Sequence, residues 1–304
     1  MMHHRAGPLL GSGDMDFTTV TLADGRVLDV LAAAPGPTTG VLFHHGTPGN
    51  SPRYQTWFAA VESRGLCPVA YSRPGYAAST RHPGRTVASA VADSVELLDQ
   101  LGIGDFYSVG GSGGGPHSIA CAALLPERCR AAAALVTIAP WEAPGLDFFA
   151  GMAHVNLDEF GASAAGEWEL RELLAVEAEP FRHVTGPEMI GAMGDSIPAV
   201  DQKVATGEWA EQEAFGLRRA LEHSLDGWVD DDLAFVQPWG FDLGSISVPV
   251  HIWQGELDRL VPWAHGQWLA AQIPGARFTL AKGEGHFSLG VANRDQILDD
   301  LLGA

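Results

Sequence analysis

The chain has 304 residues, 46% of them hydrophobic and 18% charged, which excludes a wholly disordered protein and allows a sizeable buried core. Eighteen basic residues against thirty-seven acidic ones give a formal charge of −19, which repels phosphate backbones and anionic membranes and excludes nucleic acid and membrane surfaces as natural partners. Cys67, Cys121 and Cys129 are too few for a disulfide framework and form no CxxC pair, so a reducing compartment without a metal centre is expected.

The start, MMHHRAGPLLGSGDMD, carries an apolar run too short for a secretory segment, and no later stretch has the length of a membrane span. Residues 1–15 are therefore expected to be a disordered extension of a cytoplasmic protein, and His3 and His4 have no fixed scaffold that would make them metal ligands. From Phe17, FTTVTLADGRVLDVLAAA reads as two strands around an Asp24-Gly25 hairpin turn. After a Pro/Gly turn at 35–37, GVLFHHG is a buried strand, residues 52–64 are helical, and CPVAYS is a further strand. TVASAVADSVELLDQL carries Val87, Val91, Val95, Leu98 and Leu101 at helical spacing. DFYSVG then reads as strand, HSIACAALL as helix and AAAALVTIAP as strand. Short buried strands alternating with helices predict right-handed crossovers and a doubly wound, mostly parallel α/β sheet covered on both faces.

Between Trp141 and Gly240 the rhythm breaks. The span is rich in Glu and Ala, offers no convincing strand and holds five of the nine tryptophans, Trp141, Trp168, Trp209, Trp228 and Trp239. An inserted helical layer over 141–240 is expected. Alternation resumes with VPVHIWQ, WAHGQWLAAQI, ARFTLA and a final amphipathic helix in NRDQILDDLL, so residues 16–140 and 241–304 should form one α/β core.

The stretch VGGSGGGPHS, residues 109–118, carries the chemistry. Between strand DFYSVG and the helix from Pro116, Ser112 would sit at the apex of a strained turn with its hydroxyl above the sheet. Gly110 and Gly114, two residues to either side, would let strand and helix approach. The helix N-terminus beyond it offers backbone N–H groups and a positive dipole end where an oxyanion would form. A serine hydroxyl is a weak nucleophile until a base takes its proton, and the base needs an acid to orient it. Asp258 in WQGELDRLVP and His286 in GEGHFS each follow a strand, at the carboxyl edge where open α/β sheets bind ligands. Glu256 and Glu142 compete for the role of the acid, and a salt-bridged structural role is the alternative for all three carboxylates. His251 reads as a core residue and His82, His154, His183, His223 and His265 as surface or cap residues, while His117 is expected to point away from the reacting centre. In HHGTPG, residues 44–49, the backbone N–H of Thr47 pairs with that of Gly113 as two oxyanion donors, and His44 and His45 brace the loop. The smallness of Gly113 predicts open space above Ser112.

HGTPG, SRPGYAAS, GGSGGGP, GELDRLVP and GEGH, in this order and spacing, resemble the α/β-hydrolase fold superfamily from about Phe17 onward. The resemblance implies Ser112 as nucleophile, Asp258 as acid, His286 as base, an oxyanion hole at Thr47 and Gly113, and a helical cap over 141–240 that covers the site and selects substrates. Ser72 and Ala77 stand where relatives often read DRPGYG, and Ser112 stands where similar epoxide hydrolases and haloalkane dehalogenases carry Asp. Proline iminopeptidases resemble the chain more closely but usually carry HGGPG and a Trp after the serine. The expectation is a capped serine hydrolase acting on an ester, lactone, thioester or similar acyl bond of a fairly apolar small molecule, with no metal or organic cofactor. Two alternatives stand beside it. One is an iminopeptidase-like aminopeptidase in which cap glutamates such as Glu172, Glu177 or Glu179 capture the α-amino group; the other is a binding protein that kept the fold without turnover.

Overall fold

The computed structural model describes residues 17–32, 36–51 and 55–304. The expectation for residues 1–15 lies outside these, as do parts of the 35–37 turn and the 52–64 helix. The hairpin forms as predicted: β1 (Phe17–Thr21) pairs antiparallel with β2 (Val27–Ala32), and Gly25 at the turn takes φ 88, a left-handed conformation open to glycine. The apolar runs become β3 (Thr39–His44), β4 (Cys67–Ser72), β5 (Asp105–Gly111), β6 (Cys129–Leu135), β7 (Val250–Gly255) and β8 (Arg277–Ala281). They form one eight-stranded sheet in the order β1-β2-β4-β3-β5-β6-β7-β8. Beyond the antiparallel β2–β4 pair, every pairing is parallel.

Successive residues of a strand face opposite sides of the sheet, and β3 shows what this requires. Leu42 packs on one face with Leu98 of α2 (Ser89–Gln100), Ile119 of α3 (Gly115–Leu124) and Leu269 of α10 (Ala264–Gln272). Val41 and Phe43 pack on the other with Phe58 of α1 (Gln55–Glu62) and Ile297 of α11 (Ser288–Leu302). Both faces are covered, which is why these strands carry no polar side. Ser72 lies opposite Asp29 on β2 and donates to its carboxylate at 2.9 Å, so a neighbouring strand supplies an acid beside this departure from the DRPGYG pattern.

Six helices separate β6 from β7: α4 (His154–Ala165), α5 (Glu167–Phe181), α6 (Gly186–Met193), α7 (Ala199–Val204), α8 (Gly207–Ala220) and α9 (Asp226–Phe235). This insert has an apolar cluster of its own around Val184, Met189 and Ala214, and a second, around Leu170, Leu174, Trp228 and Val229, that takes in Tyr76 from the turn after β4. It meets the core backbone to backbone. A Cβ on Gly75, in the turn after β4, would lie 2.6 Å from the amide nitrogen of Gly227 at the start of α9. Most of the five tryptophans serve packing or face solvent: Trp141 stacks among Phe148, Phe149 and Phe160, Trp228 and Trp239 are buried, and Trp168 is exposed.

His265, expected to be a surface or cap residue, is buried in the core. Its Nδ1 accepts from the Ala139 N–H at 3.1 Å and its Nε2 meets the Phe148 carbonyl at 2.9 Å, so it staples the chain leaving β6 to α10. No helix among the described residues is long and apolar enough to cross a membrane.

Candidate active site

Ser112 follows the last residue of β5 with φ 54, a left-handed conformation that costs a non-glycine residue strain, and opens a single 3-10 turn that runs into α3. The glycines around it are dictated by sterics. A Cβ on Gly110 would overlap the Gly114 carbonyl, one on Gly114 the His44 carbonyl, and one on Gly115 the Thr137 hydroxyl. Strand, turn and helix are thus in backbone contact, with β3 on one side and the chain after β6 on the other.

His286 lies in the loop after β8 and Asp258 in the loop after β7. The imidazole Nδ1 stands 2.8 Å from Asp258 Oδ2, while Asp258 Oδ1 accepts from the Leu260 and Val261 N–H groups, both at 2.9 Å. With Nδ1–H donated to the carboxylate, Nε2 is turned the other way as the acceptor. Both side chains are buried, and His286 and Ser112 line the same cavity of about 250 Å³. Glu256 is exposed and accepts from Gly283 N–H, and Glu142 is exposed. The acid bonded to His286 is Asp258.

Thr47 stands against Gly113. A Cβ on Gly113 would overlap Thr47 Oγ1 and lie 3.0 Å from Phe235 Cζ at the end of α9. The open space expected above Ser112 from the smallness of Gly113 is therefore absent on that side: the missing side chain is replaced by Thr47 and by an aromatic ring from the insert.

The loop carrying Thr47 is held by a buried charge network. His45 donates from Nδ1 to the Gly46 carbonyl at 2.8 Å and accepts the Arg73 N–H at Nε2 at 2.9 Å. Burial, then the nearby Arg73, pushes its pKa well down, and the same two causes push His44 to about 3, so both rings are neutral; His45 braces the loop, while His44 Nε2 lies 3.6 Å from Cys121 Sγ. The Arg73 guanidinium donates to the His45 carbonyl, to the Gly46 carbonyl at 3.1 Å and to Thr47 Oγ1 at 3.1 Å. It pairs with Asp231 of α9, which also receives Arg85 at 2.6 Å, Tyr76 OH at 2.9 Å and Thr47 OH at 2.7 Å. Burial alone would raise the Asp231 carboxyl, but Arg73 and Arg85 outweigh it and hold the group well below the usual carboxylate range. His117, expected to point away from the reacting centre, lies buried beside this network, 3.9 Å from Asp231.

Two acidic residues at the site escaped sequence reasoning, Asp231 and Asp201. Asp201 lies on α7 and accepts from the backbone N–H groups of His286, Phe287 and Ser288 at 2.8, 3.1 and 2.9 Å. The rest of the cavity wall is mainly apolar, with Trp57, Leu135, Val136, Trp209, Phe287 and Leu289. Trp209 is the one tryptophan of the five in the insert span that reaches it, packing on Phe287 with ring centroids 5.3 Å apart. Among carboxylates the insert contributes Glu213 to the wall; Glu172, Glu177 and Glu179 do not line it.

A mostly parallel sheet with helices on both faces, a strained serine at a strand-to-helix turn and a helical insert before the strand that precedes the acid define a protein of the α/β-hydrolase class. The comparisons agree. The model of the alpha/beta hydrolase fold family matches residues 40–292, and the chain belongs to that family. An uncharacterized hydrolase of Bacillus subtilis (strain 168), YcgS, is 27% identical over 273 residues, 88% of this chain and 90% of its own. A bromoperoxidase from Bacillus anthracis shares the fold with a TM-score of 0.70 at 19% identity, covering 94% of this chain and 100% of its own. A hydrolase from Pseudomonas aeruginosa does so with a TM-score of 0.69 at 23% identity, covering 95% and 98%.

Proposed function

We propose that the protein is a serine hydrolase that cleaves an ester, lactone, thioester or similar acyl bond of a small apolar substrate through an acyl-enzyme, with residues 141–240 as its cap. The observation that carries the reading is the hydrogen bond from Asp258 to His286, which lines the same cavity as Ser112 on its strained turn. In this mechanism His286 takes the Ser112 proton as the hydroxyl oxygen attacks the carbonyl carbon. The backbone N–H groups of Thr47 and Gly113 receive the oxyanion, and His286 passes its proton to the leaving group. Water, deprotonated by His286, then attacks the acyl carbon and releases the acid, and Ser112 recovers its proton. Asp258 keeps the imidazole in the tautomer that accepts at Nε2. These steps use the chain's own residues and need neither metal nor organic cofactor.

The apolar wall of Trp57, Val136, Trp209 and Phe287 supports an aliphatic or aromatic acyl group. The aminopeptidase alternative places the α-amino group on a carboxylate of the insert; Glu172, Glu177 and Glu179 lie away from the cavity, and Glu213 is the insert carboxylate in its wall that such a reading would use. The two readings part on substrate. Turnover of p-nitrophenyl butyrate with none of proline p-nitroanilide, lost in Ser112→Ala, is the expected result; the reverse preference would assign the aminopeptidase.

A further inference from the structure

We infer that Asp201 is a positioning residue through which the insert, once seated on the core, sets the place of His286; the inference rests on the reading of His286 as the base. Helix α11 opens directly after the histidine, and no side chain at its own N-cap position, Phe287, accepts an N–H. The first N–H groups of a helix need acceptors, and one buried without them costs about 1–3 kcal/mol. Here the acceptor comes from 85 residues away. Asp201, fully buried on α7, takes the N–H of His286 on Oδ2 and those of Phe287 and Ser288 on Oδ1. Its negative charge at the start of α11 also suits the helix dipole. Gly285 completes the arrangement, since a Cβ there would lie 2.5 Å from Asp201 Oδ1, and its own N–H is taken by Ser288 Oγ at 2.7 Å. The glycine before the histidine in GEGH is thus the clearance that lets an acid from the insert reach the backbone.

His286 is fixed at two points of different origin. Its ring is held by Asp258 from the core and its backbone by Asp201 from the insert, with Trp209 of α8 packed on the next residue, Phe287. An insert that lifts from the core takes the acceptor of three consecutive N–H groups with it and frees the base from its place in the cavity it shares with Ser112. Competence of the base is thereby tied to closure of the insert.

The test measures the rate at which a fluorophosphonate probe labels Ser112, with kcat and KM for p-nitrophenyl butyrate, in wild type, Asp201→Ala and Asp201→Asn, each at a temperature where circular dichroism shows it folded. Labelling of wild type but not of Ser112→Ala supports the underlying reading; failure of either overturns that reading and, with it, the role of Asp201. Given that control, Asp201→Ala should lose labelling rate and kcat on the order of 10²-fold with KM unchanged, as displacement of a catalytic group by about 1 Å does. Asp201→Asn, which keeps one acceptor oxygen for Phe287 and Ser288, should fall between Asp201→Ala and wild type. Arg182→Ala, which removes a bond inside the insert to the Leu221 carbonyl, should keep the wild-type rate. If Asp201→Ala does not fold, Asp201→Asn decides alone. A folded Asp201 variant with lower thermal stability but wild-type kcat and labelling rate would overturn the proposal, because a merely structural acid would behave in that way.

Discussion

At the scale of single residues, a methyl group is too large at two neighbouring glycines, with different consequences. On Gly114 it meets the backbone carbonyl of His44, where the turn after β5 lies against the end of β3 and neither backbone can yield, so Gly114→Ala should give no folded protein by circular dichroism. On Gly113 it meets side chains, Thr47 and Phe235, which can move. Gly113→Ala should therefore fold yet lose kcat/KM on the order of 10²-fold toward p-nitrophenyl butyrate, because Thr47 leaves the place from which, in the proposed mechanism, its N–H receives the oxyanion. Asp258→Asn should lower kcat by about 10³–10⁴-fold, since an amide no longer selects the working tautomer of His286, while Glu256→Gln should change nothing. Ser112, Asp258 and His286 could be read from the sequence because each follows a strand in a recognisable local pattern. Asp201 and Asp231 could not. They act on backbone and guanidinium groups 85 and 158 positions away, and nothing nearby in the chain distinguishes them from the other thirty-five acidic residues.

At the scale of elements, the buried strands announced themselves as apolar runs bounded by turns, and the sheet follows that reading closely. Helix α11 did not. Periodicity placed it in NRDQILDDLL, but it starts at Ser288, across Gly290, because its first turn is capped from α7 and not from its own sequence. The six insert helices were legible only as a layer, since several are short and their faces pack partly against the core. Helix α9 carries a buried tether of that layer to the core, Asp231. Asp231→Ala would leave Arg73 and Arg85 buried with no carboxylate between them. Loss of about 3–5 kcal/mol in urea unfolding is expected, with Thr47 released from its partner; a loss below about 1 kcal/mol would show that the network is not what seats α9.

At the scale of the whole molecule, buried titratable groups set how stability follows pH. Burial is the largest cause that pushes the imidazoles of His44, His45, His117, His251 and His265 down, His44 to about 3 and His265 to about 4. The unfolded chain protonates such rings below about 6.5 while the folded protein leaves them neutral, so unfolding takes up protons and stability falls as pH drops through this window. Asp29, Glu159 and Asp232 are pushed up, mainly by burial, and act with the opposite sign, giving up protons on unfolding above about 4. The five rings outnumber the three carboxyls, so the urea midpoint should be lower at pH 5 than at pH 7; a higher one would contradict this balance. In the proposed mechanism Ser112 is the nucleophile, and its covalent chemistry is the most direct test of that reading. After brief exposure of wild type to a fluorophosphonate, intact-mass measurement and peptide mapping should find a single adduct on Ser112, absent in Ser112→Ala and strongly slowed in His286→Ala. A folded wild type that remains unmodified, or an adduct that persists in Ser112→Ala, would contradict the assignment of Ser112 as nucleophile.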